Sequence, residues 1–246
     1  MVIAIGHVEA LYRYSVKSMA GQCLQTATLG WHGIEGDRRL AFRRLEERGG
    51  MPWLTASRLP ELLLFAPLHL PDSAQEELPL NIRTPEGREL PVFGEELASD
   101  VTRRHGAPVQ MMQLRNGIFD DASISVISTA TIAGISQLSG HSLDARPFRP
   151  NIVIRPHDPL PFGEDQWVGS ELWFGSETDA PAVSVTMRDI RCAMVNFHPD
   201  TAKSSPEVMK AVVRANQNTA GVYGTVTRTG CLGVGQVVYL RRAISI

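Results

Sequence analysis

The densest chemistry in the sequence lies in Arg188–Thr201, Arg-Asp-Ile-Arg-Cys-Ala-Met-Val-Asn-Phe-His-Pro-Asp-Thr, which sets one cysteine, Cys192, between basic side chains just ahead of a Pro-Asp turn. A thiol beside Arg188 and Arg191, with His198 a further candidate neighbour, is biased towards thiolate, the form that attacks electrophiles and ligates soft metals. The same cysteine packed in a strand would be an inert small hydrophobe, and the local sequence leaves both readings open.

Other polar residues fall at the ends of predicted strands. Lys17-Ser18 closes the first strand with a cation and a hydroxyl, which can hold a phosphate or sit in a solvated loop. Arg38 and Arg39 face opposite sides if both lie in a strand, so at most one of them enters a given pocket. Asp121 and Ser123 can cap a helix or enter a site. Arg149, between Phe148 and Pro150, is either an ion-pair anchor or an anion ligand. The sequence has no Cys-x-x-Cys, His-Glu-x-x-His, Gly-x-x-x-x-Gly-Lys, Gly-x-Gly-x-x-Gly or Gly-x-Ser-x-Gly. These absences argue against a Cys-rich zinc site, a zincin, a Walker nucleotide site, a dinucleotide fold and an α/β-hydrolase. The seven histidines are scattered without ligand spacing.

Composition bounds the class. At 246 residues, 43% apolar and 20% charged, the chain is an ordinary globular protein of one large domain or two small ones. A net charge of −2 gives no support to nucleic-acid or membrane partners. All basic residues except Lys17, Lys203 and Lys210 are arginine, which suits bidentate recognition of phosphate or carboxylate and equally reflects genomic base composition. Cys23, Cys192 and Cys231 are odd in number and far apart, so no disulfide framework is expected and a reducing compartment is. The apolar start is too short for a signal-peptide core, and no run approaches the roughly 20 residues of a membrane span. Cytoplasmic residence is the expectation.

The elements that must position these residues are short and mostly β. Strands are predicted at Val2–Val16, Leu24–Leu29, Arg38–Leu45 with a Gly49-Gly50 hairpin returning through Met51–Thr55, Asn81–Thr84, Leu90–Phe93, Val109–Leu114 and Ile124–Ile127. Further strands are predicted at Phe148–Ile154, Trp167–Phe174 and Val183–Val195, with Gly221–Val226 and Val234–Leu240 as a closing hairpin-like pair. Ser57 reads as an N-cap ahead of a buried Leu62–Leu70 run. Glu95–His105, Thr129–Leu138 and Glu207–Asn216 read as helices, the last clearly amphipathic. The polar stretch Arg115–Asp121 is the candidate domain junction. The fold class is therefore mainly β with a few covering helices.

Taken together, these stretches resemble the MOSC family, named for the C-terminal domain of molybdenum-cofactor sulfurase, over nearly the whole chain. Residues 1–115 are similar to that family's N-terminal β-rich module, through Tyr14-Ser-Val-Lys-Ser18, Gly36-Asp-Arg38 and Thr55-Ala-Ser-Arg58. Residues 116–246 are similar to the MOSC β-barrel domain itself, through Asp121-Ala-Ser123, Phe148-Arg-Pro-Asn151, Glu164-Asp-x-Trp167, Arg191-Cys192 and Pro199-Asp-Thr201. Ser15, Ile124, Ile190 and Ala202 depart from the usual pattern, where proline, proline, a cysteine or proline, and glycine are common.

The resemblance is to the amidoxime-reducing branch and implies a molybdenum cofactor, Mo-molybdopterin, whose metal is ligated by Cys192. Lys17, Ser18 and Arg38 would hold the cofactor phosphate, and Arg149, Asn151, Asp121 and Ser123 would line the pterin or metal pocket. It implies reduction of small N-hydroxylated or related N- or S-oxygenated compounds with electrons from an external partner, a ferredoxin- or flavin-type reductase. It also carries a family association with pyridoxal phosphate. The alternatives are a non-redox carrier or maturation protein in which Cys192 bears a persulfide, and a binding module that keeps the fold without the cofactor.

Overall fold

The computed structural model describes residues 2–47, 49–68 and 78–242 of the chain. Its first half supplies β1 (Val2–Arg13), β2 (Gln22–Leu24), β3 (Thr26–Gly30), β4 (Gly33–Ile34), β5 (Leu40–Arg44), β6 (Ala66–Leu68), β7 (Asn81–Arg83), β8 (Glu89–Pro91), helix α1 (Glu95–His105) and β9 (Val109–Gln113). The second half supplies β10 (Ile124–Ser128), α2 (Thr129–Ser139), β11 (Ile152–Pro156), β12 (Ser170–Phe174), β13 (Ala182–Ile190), α3 (Glu207–Asn216), β14 (Thr219–Arg228), β15 (Gly230–Gly233) and β16 (Val237–Arg242).

Among the described residues seven strands close into a barrel, in the order β1-β11-β10-β14-β13-β12-β16 and back to β1, with β2 attached outside the ring. Closure leaves the ring without a free edge. The one parallel pair in it, β10 with β11, needs a crossover, and α2 lies in that connection. Inward side chains such as Val8, Leu11, Val126, Ile152, Phe174 and Val183 form one core inside the barrel. Ile127 and Val153, on alternate positions of β10 and β11, face outward and are covered by α2 and α3 in a second core. A third core, around Val16, Phe42, Phe65, Ile82 and Leu97, holds β5 to β9 and α1 together.

Local chemistry explains the helices. α1 begins with Glu95 and Glu96 and ends with Arg103, Arg104 and His105 before a left-handed Gly106, so charge and cap both suit the helix dipole. α2 starts on Ser128, whose hydroxyl accepts from the Thr131 amide, and stops at left-handed Gly140. All three helices fall where the sequence placed them, and the mainly β, barrel-forming class is the one observed.

Several boundaries differ, for physical reasons. β1 ends at Arg13 because the Asp37 carboxylate captures the Tyr14 amide at 2.6 Å, in place of a ladder partner. The Leu24–Leu29 strand is split into β2 and β3, and Arg38 precedes its strand in a left-handed conformation. The Gly49-Gly50 return is reduced to a bridge between Arg43 and Trp53 with backbone hydrogen bonds from Leu54 to Phe42 and from Arg44 to Pro52. Ser57 caps nothing: the helical turn starts at Pro60, and of the apolar run Leu62, Leu63 and Phe65 are buried while residues 69 and 70 lie outside the described residues. The closing hairpin is not formed. β14 pairs with β10 and β13, β16 with β12 and β1, and the chain between them leaves the ring as β15 to pair with β3. Among the described residues no helix is long and apolar enough to cross a membrane.

Ring closure depends on Gly6, where β1 meets β11 and β16 at once, opposite Pro156 and Val238. A Cβ there would lie 2.2 Å from the Arg155 carbonyl oxygen and 2.8 Å from the Pro156 Cα, and backbone atoms cannot yield as a flexible side chain can. Gly6→Ala should therefore lower stability by roughly 1–3 kcal/mol through overpacking, read as a fall in the urea midpoint. Gly49→Ala, with open space around it, should leave the midpoint unchanged.

Candidate functional site

Past the end of β1 the chain runs alongside β5. The Lys17 amide donates to the Leu40 carbonyl at 2.8 Å and the Leu40 amide to the Ser15 carbonyl at 3.0 Å, which fixes Tyr14–Ser18 against residues 37–40. A cavity of about 410 Å³ opens between this segment, Thr55 and Ser57, the turn at Pro147–Arg149, and the chain from Asp189 to Val195. Of the eight residues singled out from sequence, Cys192, Lys17, Ser18, Arg38, Asp121 and Arg149 line it. Asn151 and Ser123 are not on its wall. Asn151 is buried behind Arg38, and its Oδ1 accepts from Arg38 Nη1 and from the Ser125 amide, each at 3.2 Å. Ser123 is half-buried and packs against Gly33.

The cations are held in distinct ways. Lys17, 7% exposed, pairs with Asp120 at 2.8 Å. Burial lowers the pKa of this ammonium despite that partner. Burial also opposes ionisation of Asp120, yet Lys17, with Arg38 and Arg149 behind it, holds its carboxyl below the usual range. Arg38 donates to the Asp37 carboxylate and, at 3.0 Å, to the Arg149 carbonyl. Its burial would depress its pKa, but Asp37 more than offsets that and raises it. Arg149 is different. Nη1 donates to the Met19 carbonyl at 2.6 Å and the guanidinium lies 4.1 Å from the centre of the Tyr14 ring, which Arg38 also approaches, at 5.3 Å. Its Nη2 is buried with no hydrogen-bond partner, and among the described residues no carboxylate pairs with it. Burial brings its pKa down to about 10.

Ser18, Arg38 and Arg149 all have positive φ, at 67°, 51° and 51°. Non-glycine residues rarely adopt this region, and such strain collects at functional sites. Ala202 does the same at φ 53°, in the position where glycine is usual, so the backbone keeps the glycine-like turn without the glycine.

The surroundings of Cys192 differ from the expected ones. β13 stops at Ile190, and Cys192 is exposed in extended backbone ahead of a short helical turn at Ala193–Asn196. Register shifts along β13 turn its end so that Asp189 faces inward and Ile190 outward. The three basic side chains expected to flank the thiol serve the scaffold. Arg188 reaches Asp165 and Gln217 at 3.2 and 3.3 Å. Arg191 is buried, donating to the Ala220 and Phe148 carbonyls at 2.7 Å each, and His198 Nδ1 accepts from the Asp200 amide. The cavity is lined by Lys17, Arg38 and Arg149 together with Arg191, which lies 2.8 Å from Asp189.

Sequence reasoning passed over four groups at this site: Asp37, Asp120, Asp189 and Tyr223. Asp37 lies inside the Gly36-Asp-Arg38 match and Asp120 next to Asp121, so the signal was adjacent to what was read. Asp189 lies inside the Arg188–Thr201 stretch, three residues before the cysteine for which that stretch was read, and Tyr223 sits in an apolar strand pattern that carries no sign of a cavity. Among the described residues no group of three or more His, Cys, Asp or Glu side chains could hold a metal ion by itself.

A model of the MOSC domain matches residues 101–239. Among solved structures the YuaD protein from Bacillus subtilis is 15% identical over 99% of this chain and 99% of its own, with a TM-score of 0.53, a likeness of fold. YiiM from Geobacillus stearothermophilus is 19% identical over 48% of this chain and 53% of its own, with a TM-score of 0.37. No curated protein matches.

A buried guanidinium lacking a carboxylate calls for an anion. Inorganic phosphate should raise the melting temperature of the purified chain, by about 2–4 °C for each kcal/mol of binding. Arg149→Met should remove the rise, and an undiminished shift in that variant would show that the anion binds elsewhere.

Proposed function

This chain belongs to the MOSC domain family, which is associated with binding of the molybdenum cofactor, and from that premise we propose that it is a molybdenum-cofactor reductase of small N-hydroxylated or related N- or S-oxygenated compounds. The observation that carries the reading is that an exposed thiol, Cys192, and a buried arginine without a carboxylate, Arg149, belong to the same cavity.

The residues present fit such a group. A cysteine thiolate is a soft donor suited to molybdenum. Lys17, Ser18 and Arg38 offer the charged and hydroxyl donors that suit a phosphate, and the partnerless Nη2 of Arg149 adds one more. Asp121 shapes the pocket from its wall, while Asn151 and Ser123 act from behind it, Asn151 by fixing Arg38. The division expected at residue 115 is carried into this proposal: Lys17 and Arg38 come from the first part, Arg149 and Cys192 from the second, so neither part makes the site alone.

When bound, the cofactor supplies two-electron chemistry, taken from a ferredoxin- or flavin-type partner and delivered to an N–O or S–O bond whose oxygen leaves as water. The chain's own contribution is position and electrostatics. Cys192 would hold the metal and the buried cations would hold the anionic end, while the Tyr14 ring holds two guanidiniums in place. A persulfide carrier would also use an exposed thiol, but it gives no role to a buried, unpaired arginine in the same cavity.

Cys192→Ser should abolish reduction of N-hydroxy compounds by the cofactor-loaded protein with a chemical reductant. Cys231→Ser should not, because Cys231 lies exposed on β15, outside the cavity lining. Full turnover by the Cys192 variant would contradict the proposed ligand.

A further inference from the structure

Asp189 is the one cavity-lining acid that the reading above leaves without a task. It is 1% exposed, on the inward side of the last turn of β13, three residues before the thiol. Its Oδ2 accepts from Ser125 Oγ of β10 at 2.9 Å and lies 2.8 Å from Arg191 Nη2. That second approach lacks hydrogen-bond alignment, since Nη2 has no hydrogen-bond partner. Oδ1 is buried with no partner at all. A carboxyl held firmly by one oxygen and left free at the other, in the wall of a reaction cavity, is built to exchange a proton with what enters.

We propose that Asp189 is the proton donor for the reduction, delivering its proton from Oδ1 to the oxygen that leaves the substrate. The inference rests on the reductase reading and deepens it. For an N-hydroxy compound the overall change is R–NH–OH + 2 e⁻ + 2 H⁺ → R–NH2 + H2O. The N–O bond breaks, the electron pair comes from the partner reductase, and Asp189 supplies the proton that turns the departing hydroxide into water. Solvent supplies the proton that the nitrogen gains and afterwards reprotonates Asp189.

The electrostatics agree with the geometry. Burial pushes the carboxyl up, Arg191, Ser125 and Arg38 pull it down, and Asp120 pushes it up again, with the outcome at about 6. Tyr223 of β14 also lines the cavity, and burial and the Asp189 charge keep its phenol protonated. The acid is thus loaded below about pH 6 and empty well above it, so turnover should fall as pH rises through the midpoint. Loss of the Ser125 hydrogen bond, which favours the carboxylate, should move that fall to higher pH.

The test compares wild type, Asp189→Asn and Ser125→Ala, loaded with cofactor and supplied with a chemical reductant and an N-hydroxy substrate. Asp189→Asn is expected to lower kcat by about 10²-fold or more, the range of general acid catalysis. KM and molybdenum content should be unchanged, and the high-pH fall should disappear. Ser125→Ala is expected to keep its turnover at low pH and shift the fall upward. Infrared difference spectra of wild type against Asp189→Asn, without substrate, should show a protonated carboxyl band titrating near 6. Undiminished kcat in Asp189→Asn, or an unchanged pH profile in both variants, overturns the proton-donor role alone. Loss of molybdenum in Asp189→Asn also overturns it, making the residue a cofactor-binding one. Wild-type protein that loads molybdenum and reduces nothing overturns the reductase reading and this role with it.

Discussion

One guanidinium ties the site together. Arg38 lies in the turn between β4 and β5, yet its side chain donates to Asn151 and to the Arg149 carbonyl, more than 100 residues away in sequence, and pairs with its neighbour Asp37. Asp37 in turn ends β1 by taking the Tyr14 amide. The Tyr14–Ser18 segment, the turn holding Arg149 and the strand end behind Asn151 are thereby locked to one reference point. Removing one partner of such a buried pair costs about 3–5 kcal/mol, so the arrangement is fixed before any ligand arrives. Preorganisation of this kind is what lets a cavity discriminate by charge without reorganising on binding.

Around that point the formal charges nearly balance. Lys17 has Asp120, Arg38 has Asp37 and Arg191 has Asp189. Arg149 stands apart, held by a carbonyl and an aromatic face. Neither of these neutralises a charge, and an isolated buried ion costs several kcal/mol. The imbalance is therefore local: a buried guanidinium without a carboxylate and an exposed soft donor line the same cavity. A barrel alone would not create this. It arises because the first hundred residues bring Lys17 and Arg38 onto the end of a ring to which residues 124–242 contribute six of the seven strands.

Much of this was legible in the sequence, and what was not has a common cause. Helices declared themselves: Glu95–His105, read as a polar surface helix, is recovered to the residue, and Glu207–Asn216, read from its apolar face, likewise. Strand pairing did not, because ring closure overrides sequence adjacency: β14 and β16 look like a hairpin and belong to different neighbours. The candidate site residues converged on one cavity in six cases of eight. Asn151 and Ser123, each just ahead of a strand, fell behind the wall because residue type tells what a side chain can do and not which way the backbone presents it. Arg191 shows the same limit. Beside Cys192 in sequence, it is buried in the cavity wall and serves two carbonyls. Tyr223 was invisible because alternation along a strand marks a face as inward without marking whether that inside is packed or open, and Asp189, in plain view beside the cysteine, gave no sign of which way it points.

Under the proposed function the cavity would take the phosphate end of a pterin on its buried cations and a heavy metal on its thiol. The most direct measurement is elemental and pterin analysis of the chain purified from a host that makes the molybdenum cofactor. Molybdenum and pterin in amounts equimolar to the chain are the predicted result. Folded protein from that host carrying neither would contradict it.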